Sequence, residues 1–73
     1  MEPYPLTVVS DRYSGVYSSG EYIAWNLRPK DVPEDSQSDD ITCSTFWRQN
    51  KIPVGKGKTI ELAVADLQTK LNI

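Results

Sequence analysis

The sequence predicts an α+β domain in which a small antiparallel β-sheet is packed by a C-terminal amphipathic helix, with a second short helix open as an addition. Three observations lead there. Ile60, Ala63, Val64, Leu67 and Leu71 recur at the spacing of one helical stripe. Residues 21–27 alternate instead, so that Ile23, Trp25 and Leu27 share one side of a strand and Tyr22, Ala24 and Asn26 the other. Finally, the 73 residues suffice for one domain, 1–73, whose folding hides only about 60% of the surface of the unfolded chain. A single core layer is expected, and barrel enzymes and dinucleotide-binding domains are excluded by size.

Leu6–Ser10 is a short β-branched run and reads as the first strand. Pro3 and Pro5 keep the residues before it irregular. Asp11–Gly20 reads as turns, because glycine reaches positive φ at little cost and Asp and Ser side chains bond to nearby backbone. The second strand is 21–27, with Ile23, Trp25 and Leu27 as its core face. Residues 28–40 break the pattern. Pro29 and Pro33 withhold two backbone donors, and Asp31, Glu34, Asp35, Asp39 and Asp40 crowd around Lys30, which describes an exposed acidic loop.

The 41–49 segment suits either of two forms. As a helix capped by Asp40 it would place Cys43, Phe46 and Trp47 on one face; as a fourth strand it would alternate Ile41, Cys43 and Thr45. The helix is favoured. Asn50 ends it, and 51–54 reads as an edge strand because Pro53 cannot donate to a ladder. Gly55–Lys58 reads as a flexible connection. Thr59 then caps a helix over 60–71, with Glu61 in its first turn and Asp66 four residues before Lys70 on its outer face. So short a helix is marginal alone, and Ile23, Trp25 and Leu27 are the surface expected beneath it.

Chemistry is limited by what the chain lacks. It has no histidine and one cysteine, Cys43, which excludes the usual zinc sites and every imidazole-based triad. No metal, cofactor or catalytic residue is therefore expected. A lone thiol suits a reducing compartment, no run approaches the length of a membrane span, and the first residues lack the features of a signal peptide. A cytoplasmic protein without membrane contact is the expectation. The net charge of −2 is unevenly divided: residues 1–40 hold eight acids against three bases, and residues 41–73 hold two acids against five bases.

Tyr13, Tyr17 and Tyr22 stand near Asp11, Arg12, serines and glycines, a mixture of rigid rings and adaptable hydrogen-bonding groups suited to protein contacts. Joined to Asp31, Glu34, Asp35, Asp39 and Asp40, they would form an acidic face complementary to a basic groove. The expected function is a non-catalytic protein-binding module. Its type would be an acidic inhibitor or accessory protein of a phage or mobile element, acting in the host cytoplasm on a nucleic-acid-handling protein such as a nuclease. A homodimer is open as well. Binding of single-stranded nucleic acid through Trp25, Phe46, Trp47 and the tyrosines, with Arg12, Arg28 and Arg48 on phosphates, is an alternative that the acidic loop opposes. Gly55, Lys56, Gly57 and Lys58 ahead of a helix form a candidate anion site, but they lack phosphate-loop spacing and read more simply as a turn.

The segment Val54-Gly55-Lys56-Gly57-Lys58-Thr59-Ile60-Glu61-Leu62-Ala63-Val64-Ala65-Asp66-Leu67, continued to Leu71, resembles the glycine-turn-to-helix junction of small HicB-like antitoxin modules. The resemblance implies an open antiparallel sheet leading into a helix that lies across it. It also implies Gly57 as the turn, Thr59 as the cap, Ala63 and Leu67 as sheet contacts, and a small basic toxin as partner. It supplies no catalytic position.

Overall fold

The computed structural model describes residues 4–72, so the expectation for Pro3 lies outside the described residues. Strands β1 (Thr7–Ser10), β2 (Tyr22–Trp25) and β3 (Val54–Gly57) form one antiparallel sheet in the order β1-β2-β3. Helix α1 (Asp40–Gln49) precedes β3 and helix α2 (Ile60–Leu71) follows it. The fold is thus α+β, with 41–49 helical and the last helix on the sheet. β1 and β2 are shorter than the 6–10 and 21–27 runs that contain them.

The pleat of β2 decides the layers. Ile23 and Trp25 point to one side, join Val54, and are covered by Phe46 and Trp47 of α1 with Val9, Leu27 and Val32 around them. Ala24 points to the other side, where it meets Ala63 and Leu67 of α2 among Leu6, Val8, Tyr22, Val64 and Leu71. The expected placement of α2 on Ile23, Trp25 and Leu27 is therefore corrected: α2 takes the opposite face, and α1 takes that one. The single core layer becomes two thin half-cores on either side of one sheet.

Side-chain bulk explains the choice. Beneath α2 the sheet presents Ala24, Gly55 and Gly57, which let the helix settle close to the strand backbone. A Cβ on Gly55 would overlap the Ala63 carbonyl oxygen and stand 2.6 Å from Leu67 N; one on Gly57 would stand 2.6 Å from Ala63 N. Trp25 on the other face would hold a helix away. Gly55–Lys58 is thus largely strand rather than flexible connection, and β3 begins at Val54 instead of spanning 51–54. Here glycine marks a close backbone approach.

The outer edge of β3 is closed by α2. Lys56 N–H donates to Asp66 Oδ2 at 2.9 Å, and Lys70 Nζ donates to the Val54 carbonyl at 2.8 Å. Asp66 and Lys70 also pair with each other at 2.8 Å. This pair was expected on the outer face of α2; it turns instead to backbone groups that an edge strand leaves unmatched. Thr59 caps α2 as expected, its Oγ1 accepting from Leu62 N–H at 3.1 Å, and Asn72 closes the helix in a left-handed conformation.

α1 is capped by Asp39 rather than Asp40: Asp39 Oδ1 accepts from Thr42 N–H at 2.9 Å, and Asn50 is the C-cap. Phe46 and Trp47 meet edge to face with ring centroids 5.1 Å apart, and Trp47 lies 5.8 Å from Trp25. Before α1, residues 28–40 carry two short 3₁₀ helices, Pro29–Asp31 and Glu34–Gln37, where a plain loop was expected. Ser36 is buried within them, and its carbonyl accepts from Cys43 Sγ at 3.2 Å and Trp47 Nε1 at 3.1 Å.

Candidate partner-binding surface

The expected face begins at the end of β1. Asp11 N–H donates to the Glu21 carbonyl at 2.8 Å, which extends the β1–β2 pairing by one step. That step buries the Asp11 carboxylate, which accepts from Gly15 N–H inside the turn region and from Gln37 Nε2 at 3.5 Å across it. Gln37 answers with Oε1, which accepts from Arg12 N–H at 2.7 Å. Arg12 Nη1 donates to the Gln37 and Ser38 carbonyls at 3.3 and 3.2 Å, and Tyr13 OH donates to the Ser38 carbonyl at 2.7 Å. Farther along, Tyr17 OH donates to Asp40 Oδ1 at 3.1 Å. Tyr13 and Tyr17 meet edge to face at 5.3 Å, with the Arg12 guanidinium 5.3 Å from the Tyr13 ring centroid.

These contacts fasten the 11–20 turns to the acidic segment. Asp11, Arg12, Tyr13, Tyr17, Asp39 and Asp40 come together, and Asp31, Glu34 and Asp35 project from the same braced segment. Tyr22 lies apart, because the pleat turns it toward the α2 half-core. The acids divide by role. Asp39 holds the α1 cap and Asp40 holds Tyr17, whereas among the described residues the exposed side chains of Asp31, Glu34 and Asp35 make no hydrogen bond or ion pair, the bonds of Asp31 and Asp35 being backbone ones within their 3₁₀ turns. The two tyrosine hydroxyls are likewise engaged inside the face.

Ionisation follows from these partners. The Asp40 carboxylate accepting its hydroxyl proton, together with lost hydration, pushes Tyr17 above its ordinary value. Lost hydration also raises Tyr13, with the Arg12 charge opposing. The Thr42 amide holds Asp39 below the usual carboxylate range. Burial, reinforced by the Asp11 charge, raises the Cys43 thiol above its ordinary value, which disfavours the thiolate. Among the described residues, no three His, Cys, Asp or Glu side chains converge on a metal-sized space.

The candidate anion residues do not gather. Lys56 N–H is taken by Asp66, and Lys56 Nζ lies 5.4 Å from the Trp47 ring centroid on the α1 side. Lys58 instead borders a shallow hollow with Ser14, Ser19 and Glu21. Of the aromatic side chains offered for base stacking, Trp25 is wholly buried and Phe46 and Trp47 pack against it, while α2 packs on the opposite sheet face. Among the described residues no helix is long and apolar enough to cross a membrane.

One feature of this side had no counterpart in the sequence reading. Along α1 runs a groove of about 520 Å³, with Ile41, Phe46 and Ile52 among its walls and Asp35 at its rim. The signal was present: once Cys43, Phe46 and Trp47 face inward, Ile41 has no place in the core.

Compared with protein-family models, curated proteins and solved structures, the chain matches none of them. Its function is therefore read from the surface itself.

Proposed function

We propose that the chain is a non-catalytic protein-binding module that presents its acidic segment to a basic protein. It would act as an inhibitor or accessory protein, of the phage or mobile-element type, on a nucleic-acid-handling partner. One observation carries the reading: among the described residues, the exposed carboxylates of Asp31, Glu34 and Asp35 have no partner, and they stand on a segment braced by Arg12, Tyr13 and Ser36. A braced array loses little conformational freedom on docking. Its field also accelerates encounter with a positive groove and keeps phosphate backbones away.

The test reverses Asp31, Glu34 and Asp35 to lysine and leaves Asp39 and Asp40 alone, because those two support the fold. Affinity purification from the native host at two salt concentrations is then compared between variant and parent. A basic partner held at low salt, released at high salt and lost with the triple variant is the expected result. Equal capture by a folded triple variant would exclude this face as the interface. The antitoxin-like alternative rests on the resemblance of residues 54–71 alone. It expects one small basic toxin in the purified complex, in place of a nuclease.

A further inference from the structure

We infer that the groove along α1 receives a large apolar side chain of the basic partner, so that the recognised segment is amphipathic: one apolar ridge flanked by lysines or arginines. The inference rests on the acidic face being the docking surface and adds what lies beside it. Ile41 is 81% exposed and Ile52 41% exposed, although both are large hydrophobic residues. They stand on the groove walls with the half-buried Phe46 ring, an apolar strip set among Thr42, Thr45, Gln49 and Asn50. Past Ile41 and Thr45 a second hollow of about 260 Å³ continues, bordered by Tyr17 and Asp40. An apolar strip on a small soluble domain is normally a contact surface when polar groups rim it.

Charge selects the occupant. The strip begins where Asp35 and Asp40 stand and ends near Arg48 and Lys51. On the lining itself two acids balance two bases, and the exposed Asp31 and Glu34 of the same acidic segment tip the surrounding surface to negative. A segment carrying cations beside its apolar ridge satisfies both parts of the surface, whereas a nucleic acid would bring phosphates against the acids. Burial of one large aliphatic side chain on each partner then adds to the attraction that the carboxylates begin.

The test uses the full chain, labelled with nitrogen-15, and two synthetic peptides of about 18 residues, five helical turns. Both contain the same leucines and lysines. In one the leucines form a ridge; in the other they are scattered around the helix. Ridge-peptide titration is expected to move amide signals at Ile41, Thr45, Phe46 and Ile52, with the scattered peptide bound more weakly. Ile41→Ser is expected to weaken the ridge peptide roughly tenfold, the equivalent of about 1.4 kcal/mol. The parent's spectral dispersion should persist in that variant because the side chain is exposed. Equal affinity for both peptides, unchanged binding by Ile41→Ser, or signals moving elsewhere would overturn the inference. If only the Asp31, Glu34 and Asp35 reversals matter, the acidic face stands and the groove is idle; if none of these changes matters, both readings fall.

Discussion

Adding one methyl group at Gly55 should lift α2 off the sheet while leaving the packing of Trp25 and Trp47 as its neighbour on the far side. The new Cβ in Gly55→Ala overlaps the Ala63 carbonyl oxygen and stands 2.6 Å from Leu67 N and 2.7 Å from Leu67 Cβ. All three are on the helix, and two are its backbone, so rotamer change cannot relieve the crowding. α2 must retreat by roughly 1 Å, a gap that already forfeits a quarter to a half of each dispersion contact it opens. Overpacking of this kind costs about 1–3 kcal/mol. Retreat also stretches the Lys56–Asp66 and Lys70–Val54 hydrogen bonds, worth about 1 kcal/mol each and less for their exposed portion. A total of about 3–5 kcal/mol compares with a full stability of roughly 4–11 kcal/mol for a domain of this length. Urea denaturation followed by far-UV circular dichroism and tryptophan fluorescence measures it. A Gly55→Ala midpoint equivalent to the parent within about 0.5 kcal/mol would show that α2 does not rest on this glycine.

Two further outcomes follow from the buried and bonded groups. Cys43 should resist iodoacetamide in the native protein at neutral pH and react at the rate of global opening, since burial both shields the thiol and raises its pKa; native labelling as fast as that of a small free thiol contradicts the packing of α1. Stability should fall at both ends of the pH range for opposite reasons. Tyr17 has a raised folded pKa, so its contribution is complete below the ordinary value of 10.0 and is lost as pH climbs through the folded value. Asp66 is raised by burial but lowered further by Lys70 and the Lys56 amide, so its contribution is present above 3.8 and disappears as pH drops through the lower folded value. Tyr17→Phe should flatten the alkaline limb and Asp66→Asn the acid limb in thermal melts across pH. Unchanged limbs would mean that these bonds do not persist in solution.

α2 was legible because its information is local. A threonine cap, an acid in the first turn and a stripe of Ile60, Ala63, Val64, Leu67 and Leu71 specify the helix without reference to the rest of the chain. The layering was not. Alternation in β2 tells which residues share a side, but not which helix covers each side. The deciding feature was smallness, Ala24 beside Gly55 and Gly57, and a strand of glycines and lysines looks like a linker. The acidic and tyrosine-rich segments were both visible as composition. Their union was not, because Arg12–Gln37 and Tyr13–Ser38 join residues 25 positions apart. Neighbouring Asp39 and Asp40 illustrate the same limit: one caps a helix and the other anchors a tyrosine, a difference set by backbone geometry around them.

The carbonyl oxygen of Ser36 couples the outer segment to the interior. It accepts from the Trp47 indole and the Cys43 thiol while the residues on either side, Asp35 and Gln37, face outward or toward Arg12. Any pull on the acidic segment thus reaches an indole ring directly, and with Trp25 replaced by Phe the emission left to Trp47 would report events at the protein's surface without an attached dye.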